Sequence, residues 1–298
     1  MVRIKFSIGL KYTVLDQASD FIFNIHAAKT QRQTVVSESL HVSQPVPVSV
    51  FTEGAHGSRH IRLRGEPGDL TVRYDATVDV DHHIAAPASV LEVPISELPP
   101  AALAFIYPSR YCQSDRLFRI ARAEFGHLPP GYTRVAAIRD WVQKRTQFVS
   151  GSSDHTTSAA DTIIEQVGVC RDFAHLMIAL CRALNIPARF ATGIDYGSDP
   201  AFGPTDFHAY VEAFLGGRWY LFDPSGMALP MGFVRLGTGR DAADASFATI
   251  FGTVSSFSPL IQVEGVEDAA NGIKLPYATL DALSTDDGQV EQFASAAA

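Results

Sequence analysis

The hydrophobic period of this chain changes once, near residue 100, and that change limits what the chain can fold into. In the first 96 residues apolar and polar positions alternate: Val2, Ile4, Phe6, Ile8 and Leu10 make one run, and Leu70, Val72, Tyr74, Ala76, Val78 and Val80 another. A period of two places one face of a strand in a core and the other toward polar surroundings. Gly65-Glu66-Pro67-Gly68, ahead of the second run, predicts a hairpin turn. Residues 1–100 are therefore expected to form an antiparallel β domain, closed by the helix-breaking and strand-breaking cluster of Pro99, Pro100 and Pro108.

Beyond that boundary the period becomes helical. Amphipathic helices are expected over residues 114–125 and 132–148, the second with Val135, Ile138, Trp141 and Val142 on one face. A short helix follows at 158–166, and a strongly apolar one at 170–184 is stopped by Asn185 and Pro187. Strands are expected at 188–196, 207–215 and 218–224. Helices first and strands second predict an α+β domain over residues 101–283, with helices packed on an antiparallel sheet. The tail, 284–298, is polar and alanine-rich and is expected to be disordered.

With 298 residues, 46% of them hydrophobic, the chain can bury a large core. Its net charge of -8 and scattered Lys and Arg argue against a nucleic-acid partner, which needs clustered cations. Membrane association is not expected either, since no apolar stretch is long enough to span a bilayer. The first residues alternate rather than forming an apolar leader. Together with three unpaired-looking cysteines, Cys112, Cys170 and Cys181, this predicts a cytoplasmic setting. His82-His83 lacks a second ligand cluster, so neither a metal nor another cofactor is expected.

Cys170 opens the apolar helix directly after Gly168-Val169. Free backbone N–H groups and the helix dipole favour an anion there, which is where a reactive thiolate is found. A cysteine is by default a small buried hydrophobe, and Cys181 and Cys112 fit that description. Gly216-Gly217 suits a two-residue hairpin turn between the last two strands. In that register Leu215 faces Arg218, Tyr210 faces Asp223 and His208 faces Ser225. His208 and Asp223 then become diagonal neighbours on one sheet face. One residue more or less in the turn would separate them. A cysteine at a helix start followed by histidine and aspartate on adjacent strands is the order used by papain-like sites.

Gly-Val-Cys-Arg-Asp-Phe-Ala-His (168–175), Cys-Arg-Ala-Leu-Asn-Ile-Pro-Ala-Arg (181–189), Asp-Phe-His-Ala-Tyr-Val-Glu (206–212) and Trp-Tyr-Leu-Phe-Asp-Pro (219–224) resemble the bacterial transglutaminase-like cysteine-enzyme family. Gly-Arg-Asp-Ala-Ala-Asp (239–244) is similar to its downstream segment, and the β-rich first part resembles the amino-terminal region that often precedes this core. The resemblance implies a papain-like core in which Cys170 is nucleophile, His208 general base and then acid, and Asp223 the group that orients the imidazole. It implies attack on a carboxamide or peptide carbonyl, with the acyl-enzyme resolved by an amine or by water. The expected partners are a peptide or protein substrate and a small amine acceptor, with peptidase or amidase action slightly preferred over transfer. A non-catalytic peptide-binding or assembly module using the same groove is the alternative. The Cys170 N–H is the first expected oxyanion donor; Gln166, Ser153 and Tyr210 are candidates for the second or for the pocket wall. Arg171 and Asp172 are expected to cap and pair locally, and His175 to be structural. The loop ahead of His208 is expected to line or gate the cleft.

Overall fold

The computed structural model of the protein describes residues 1–53, 57–197 and 205–286. The alternating amino-terminal runs are strands, as their period requires. Val2–Val14 buries every second residue and pairs along its whole length with Gly68–Val80. Gln33–Val42 continues this sheet on the far side of Gly68–Val80. A second sheet orders Ala248–Phe251, Ser19–Phe23, Arg59–Gly65 and Val48–Thr52. Arg59–Gly65 and Gly68–Val80 therefore lie in different sheets, and Gly65–Gly68 is a crossing between layers rather than the hairpin turn its composition suggests. The turn chemistry is the same in both cases; only the pairing partners differ.

The remaining edge of Val2–Val14 would expose unpaired N–H and C=O groups. Two late strands cover it, Val254–Ser256 near its end and Leu260–Val266 near its start. With Ala248–Phe251 they make three strands from the stretch expected in the second unit that pair with amino-terminal ones. Conversely His83–Ala85, from the first unit, extends the sheet of the second. The expected tail is also partly ordered: Ser284 to Asp286 belong to Ala282–Asp286, which pairs with both Arg218–Phe222 and His83–Ala85. Residues 287–298 lie outside the described residues.

A six-stranded antiparallel sheet lies at the centre, in the order Phe233–Gly239, Ala188–Asp195, His208–Leu215, Arg218–Phe222, Ala282–Asp286, His83–Ala85. Its second and third strands, Ala188–Asp195 and His208–Leu215, are buried at every residue. Burial on both faces needs cover on both. The helices Ser114–Phe125, Tyr132–Arg145, Ala159–Glu165 and Cys170–Ala183 supply one, through a core that includes Val135, Ile138, Leu180, Ala209, Val211 and Ala213. The amino-terminal sheets supply the other, packing Ile4, Phe21 and Val78 into one cluster with Ala191, Tyr210 and Phe233. The helix expected to reach residue 148 ends at Arg145, because Gln147–Phe148 leaves to pair in parallel with Val167–Gly168. That short ladder leads straight into the helix at Cys170.

A network of charges crosses the buried sheet. Glu212 stands opposite Arg189 on the neighbouring strand, bonded to it at 2.6 Å, and also binds Arg235 from Phe233–Gly239. Asp286 bridges to Arg189 at 2.6 Å, and Arg189, Glu212 and Arg235 are each no more than 1% exposed. The network links four strands. Removing one member of a buried ionic group strands the others in a medium that solvates them poorly. Glu212→Ala is expected to cost about 3–5 kcal/mol in urea unfolding. Arg240→Ala, which breaks the exposed Arg240–Asp244 pair, should cost less than about 1 kcal/mol. Equal losses for the two variants would contradict a structural role for the Glu212 network.

Candidate active site

Cys170 is held at the helix start by a tight local wrap. Asp172 folds back so that its carboxylate accepts from the Val169 N–H at 2.9 Å, while helix geometry gives the first-turn donors of Cys170 and Arg171 no intrahelical acceptor. This fold-back explains Gly168, where a Cβ would lie 2.8 Å from the Asp172 Cβ. Arg171 pairs with Asp172 at 3.2 Å and donates to the Asp154 carbonyl at 2.6 Å, tying down the preceding loop. The Cys170 sulfur is half-buried and lies 4.0 Å from the Phe207 carbonyl, one residue before His208.

The hairpin around Gly216 and Gly217 takes the expected register, from Leu215 opposite Arg218 to Val211 opposite Phe222. Both glycines have positive φ, 55° and 83°, as the turn between right-twisted strands demands. Asp223 follows the paired segment and reaches back diagonally, so that its Oδ1 lies 3.3 Å from His208 Nε2. The carboxylate accepts further bonds from the Ser225 hydroxyl (2.6 Å), the Ser225 N–H (2.9 Å) and the Ala228 N–H (3.2 Å). Burial alone would raise Asp223, but the charge of His208 and these donors outweigh it and hold the carboxyl below its ordinary range.

The same imidazole has a second carboxylate neighbour. Asp195 ends the strand on the other side of His208–Leu215, and its Oδ2 is 3.6 Å from His208 Nδ1. The pairing places Gly193 opposite His208 and Asp195 two residues further along. On the other edge of this strand the register against Phe233–Gly239 shifts at Thr192/Gly193, where a Cβ on Gly193 would meet the Val234 carbonyl at 2.1 Å. Burial tends to lower His208, yet Asp195, Asp223 and a hydrogen bond with Cys170 together hold it well above its ordinary value. Asp195 itself is pushed up by burial to about 6, against the pull of His208 and of the Tyr210 hydroxyl, which donates to it at 2.6 Å.

These groups open on a cleft of 590 Å³. Cys170, Arg171, Asp195 and His208 line it together with Tyr111, Phe148, Phe190, Phe207 and Phe247. Phe207 stacks on Phe247 with ring centroids 4.3 Å apart, joining the wall to the segment after Gly239. Of the sequence candidates, Cys170, His208 and Asp223 converge. The other three stand apart from the lining. Tyr210 is fully buried with its hydroxyl committed to Asp195, Ser153 accepts from Arg171 at 3.3 Å, and Gln166 caps Ala159–Glu165 in a left-handed conformation. His175 is fully buried, accepts from the Ala242 N–H at 3.1 Å and stacks on Tyr111. Residues 198–204 of the loop ahead of His208 lie outside the described residues. Asp195, Ser225 and Phe247 were not singled out from the sequence. Asp195 sits at the edge of a Gly-rich and Pro-rich stretch that reads as loop, and its partner strand follows only after that stretch, so no short turn reveals their register.

Two family models match the chain: the transglutaminase-like superfamily over residues 120–224, and the bacterial transglutaminase amino-terminal domain over residues 2–101. A solved structure from Cytophaga hutchinsonii, provisionally described as a cysteine protease, is 39% identical. It superposes with a TM-score of 0.87 over 95% of this chain and 97% of its own. The chain belongs to the transglutaminase-like superfamily. More distant relatives are uncharacterized mycobacterial proteins. The Mycobacterium leprae protein ML0607 is 27% identical over 62% of this chain and 68% of its own, and the Mycobacterium bovis protein Mb2599c is 32% identical over 37% and 40% respectively. The match with the latter thus spans less than half of that relative. Membership supports a cysteine enzyme of this superfamily in general terms. No helix among the described residues is long and apolar enough to cross a membrane.

As a member of this superfamily the chain offers three thiols in different settings. Cys112 and Cys181 are fully buried, and burial pushes the Cys112 thiol up to about 12 and the Cys181 thiol higher still. Cys170 alone among them lines the cleft. Iodoacetamide at neutral pH is expected to modify Cys170 before either of the others, read by peptide mass spectrometry. Simultaneous labelling of all three in the folded protein would remove the distinction.

Proposed function

We propose that the protein is a thiol-dependent amide hydrolase or acyl transferase acting on a peptide-like substrate, with Cys170 as nucleophile, His208 as proton carrier and Asp223 as the group that orients the imidazole. The observation that carries this reading is the position of His208, bonded to Asp223 through Nε2, interacting with Cys170 and set at the wall of the aromatic cleft that Cys170 also lines. The Cys170 thiolate attacks the carbonyl carbon; a C–S bond forms and the carbonyl electron pair moves to oxygen. The Cys170 N–H, free at the helix start, is the donor for that oxyanion. On collapse the C–N bond breaks as His208 gives its proton to the departing ammonia or amine. Water or an acceptor amine then yields a proton to His208 and attacks the thioester, and the thiolate leaves.

Hydrolysis is the preferred outcome, supported by the protease description of the Cytophaga hutchinsonii relative. A glutamine-containing peptide incubated with and without a primary amine separates the two: deamidated or cleaved peptide without amine supports hydrolysis, and product formed only with amine supports transfer. Cys170→Ala is expected to abolish turnover while leaving the melting temperature nearly unchanged, because the thiol is at the cleft surface. Cys181→Ser, which puts a hydroxyl into an apolar core, should cost about 1–3 kcal/mol without abolishing turnover at temperatures where it stays folded. Full activity in Cys170→Ala would overturn the assignment.

A further inference from the structure

The proposed reaction uses one carboxylate, yet His208 is flanked by two. We propose that Asp195, supported by Tyr210, is a second positioning residue for His208, holding the imidazole protonated and directed into the cleft from the side opposite Asp223. This rests on the proposed function and deepens it by assigning the alkaline limit of the reaction to a residue outside the three-residue set.

The geometry argues for it from three sides. Asp195 is 3% exposed, and a carboxylate this deep is expensive unless charge or hydrogen bonds compensate it. Its Oδ1 is taken by the Tyr210 hydroxyl at 2.6 Å, and its Oδ2 faces His208 Nδ1 at 3.6 Å. Carboxylates from the two strands flanking His208–Leu215 thus stand diagonally on either side of one imidazole. The opposite charge near each nitrogen favours the imidazolium, with Asp223 hydrogen-bonded at Nε2 and Asp195 its ion-pair neighbour at Nδ1. The titratable or charged groups around this set are Cys170 and Arg171 from the helix start, Asp223 and Tyr210 from the sheet, and His155 and Asp206 elsewhere in the cleft lining. Of these, the buried carboxylates of Asp195 and Asp223 raise His208 by their charge. Tyr210 is itself held well above its ordinary value, by burial first and then by the nearby carboxylates, so it stays a donor throughout the working range.

The sign is fixed. Ionised Asp195 stabilises protonated His208, so removing its charge lets His208 lose its proton at lower pH. In Asp195→Asn the His208 midpoint, read by NMR of the imidazole carbons in the folded protein, is expected to fall by about 1–3 pH units. The alkaline limb of kcat/KM should fall with it. Asp195→Glu should recover much of the shift, and Tyr210→Phe, which removes only the supporting hydroxyl, should move the midpoint the same way by less. An unchanged midpoint in folded Asp195→Asn overturns the proposal. If that variant does not fold, an unchanged midpoint in Tyr210→Phe overturns it instead. The NMR measurement needs no substrate: turnover by the wild type without a shift in the variants counts against Asp195 alone, whereas the shift without wild-type turnover counts against the proposed function.

Discussion

The arrangement around His208 depends on a two-residue turn. Gly216 and Gly217 set which residue of His208–Leu215 faces which residue of Arg218–Phe222, and that choice propagates seven residues to the imidazole. Side chains alternate faces along a strand, so a third turn residue would rotate Asp223 away from His208 and leave both buried without each other. Positive φ at two consecutive positions is cheap only for glycine or, less so, asparagine and aspartate. The chemistry of the cleft is thus tied to a backbone preference at the far end of the hairpin.

The central strand has a divided character that follows from the same alternation. Ala209, Val211 and Ala213 turn to the helices, and the small residues among them let Cys170–Ala183 lie close against the sheet. His208, Tyr210 and Glu212 occupy the other face, and each meets a charged partner there. The partners differ in kind. Glu212 is locked between arginines that never lose their protons, which makes a fixed scaffold across four strands. His208 sits between carboxylates and carries a proton that can leave. One strand therefore holds a permanent charge cluster about two turns of the pleat from a titrating one, and the first keeps the second in register.

Much of this was legible from the residues. The period-two runs announced Val2–Val14 and Gly68–Val80, and the 3.6-residue period with Asn185 and Pro187 announced Cys170–Ala183 to within a residue. His208 and Asp223 could be paired because only a short turn intervenes. Long connections hid the rest. Leu260–Val266 completes the first sheet although most of the chain lies between it and Val2–Val14, and nothing local in either sequence encodes that pairing. Asp195 falls at the end of the expected strand 188–196, but no short turn joins that strand to His208–Leu215, so its pairing with His208 is not legible. Tyr210 shares the expected face with His208, but its hydroxyl points to Asp195, a partner that sequence spacing could not supply.

The interleaving of the amino-terminal strands with the core explains why these charges act so strongly on one another. The six-stranded sheet has helices on one face only; without the amino-terminal sheets its other face, with Tyr210, Ala191 and Phe233, would meet water. Tyr210 packs on Phe233 with centroids 4.1 Å apart, inside a cluster that includes Ile4, Phe21 and Val78. Water kept from that face can reach the Asp195–His208 contact only from the cleft, and electrostatic interactions strengthen as the local dielectric falls. The β layer therefore contributes to the site chiefly from behind: it dries the back of the sheet on which the imidazole and its two carboxylates are set, while its strand Ala248–Phe251 reaches the cleft only at its first residue. That is a physical reason for strands 248–251, 254–256 and 260–266 to return from the core and close the amino-terminal sheets, since an open β layer would let water reach the face it covers.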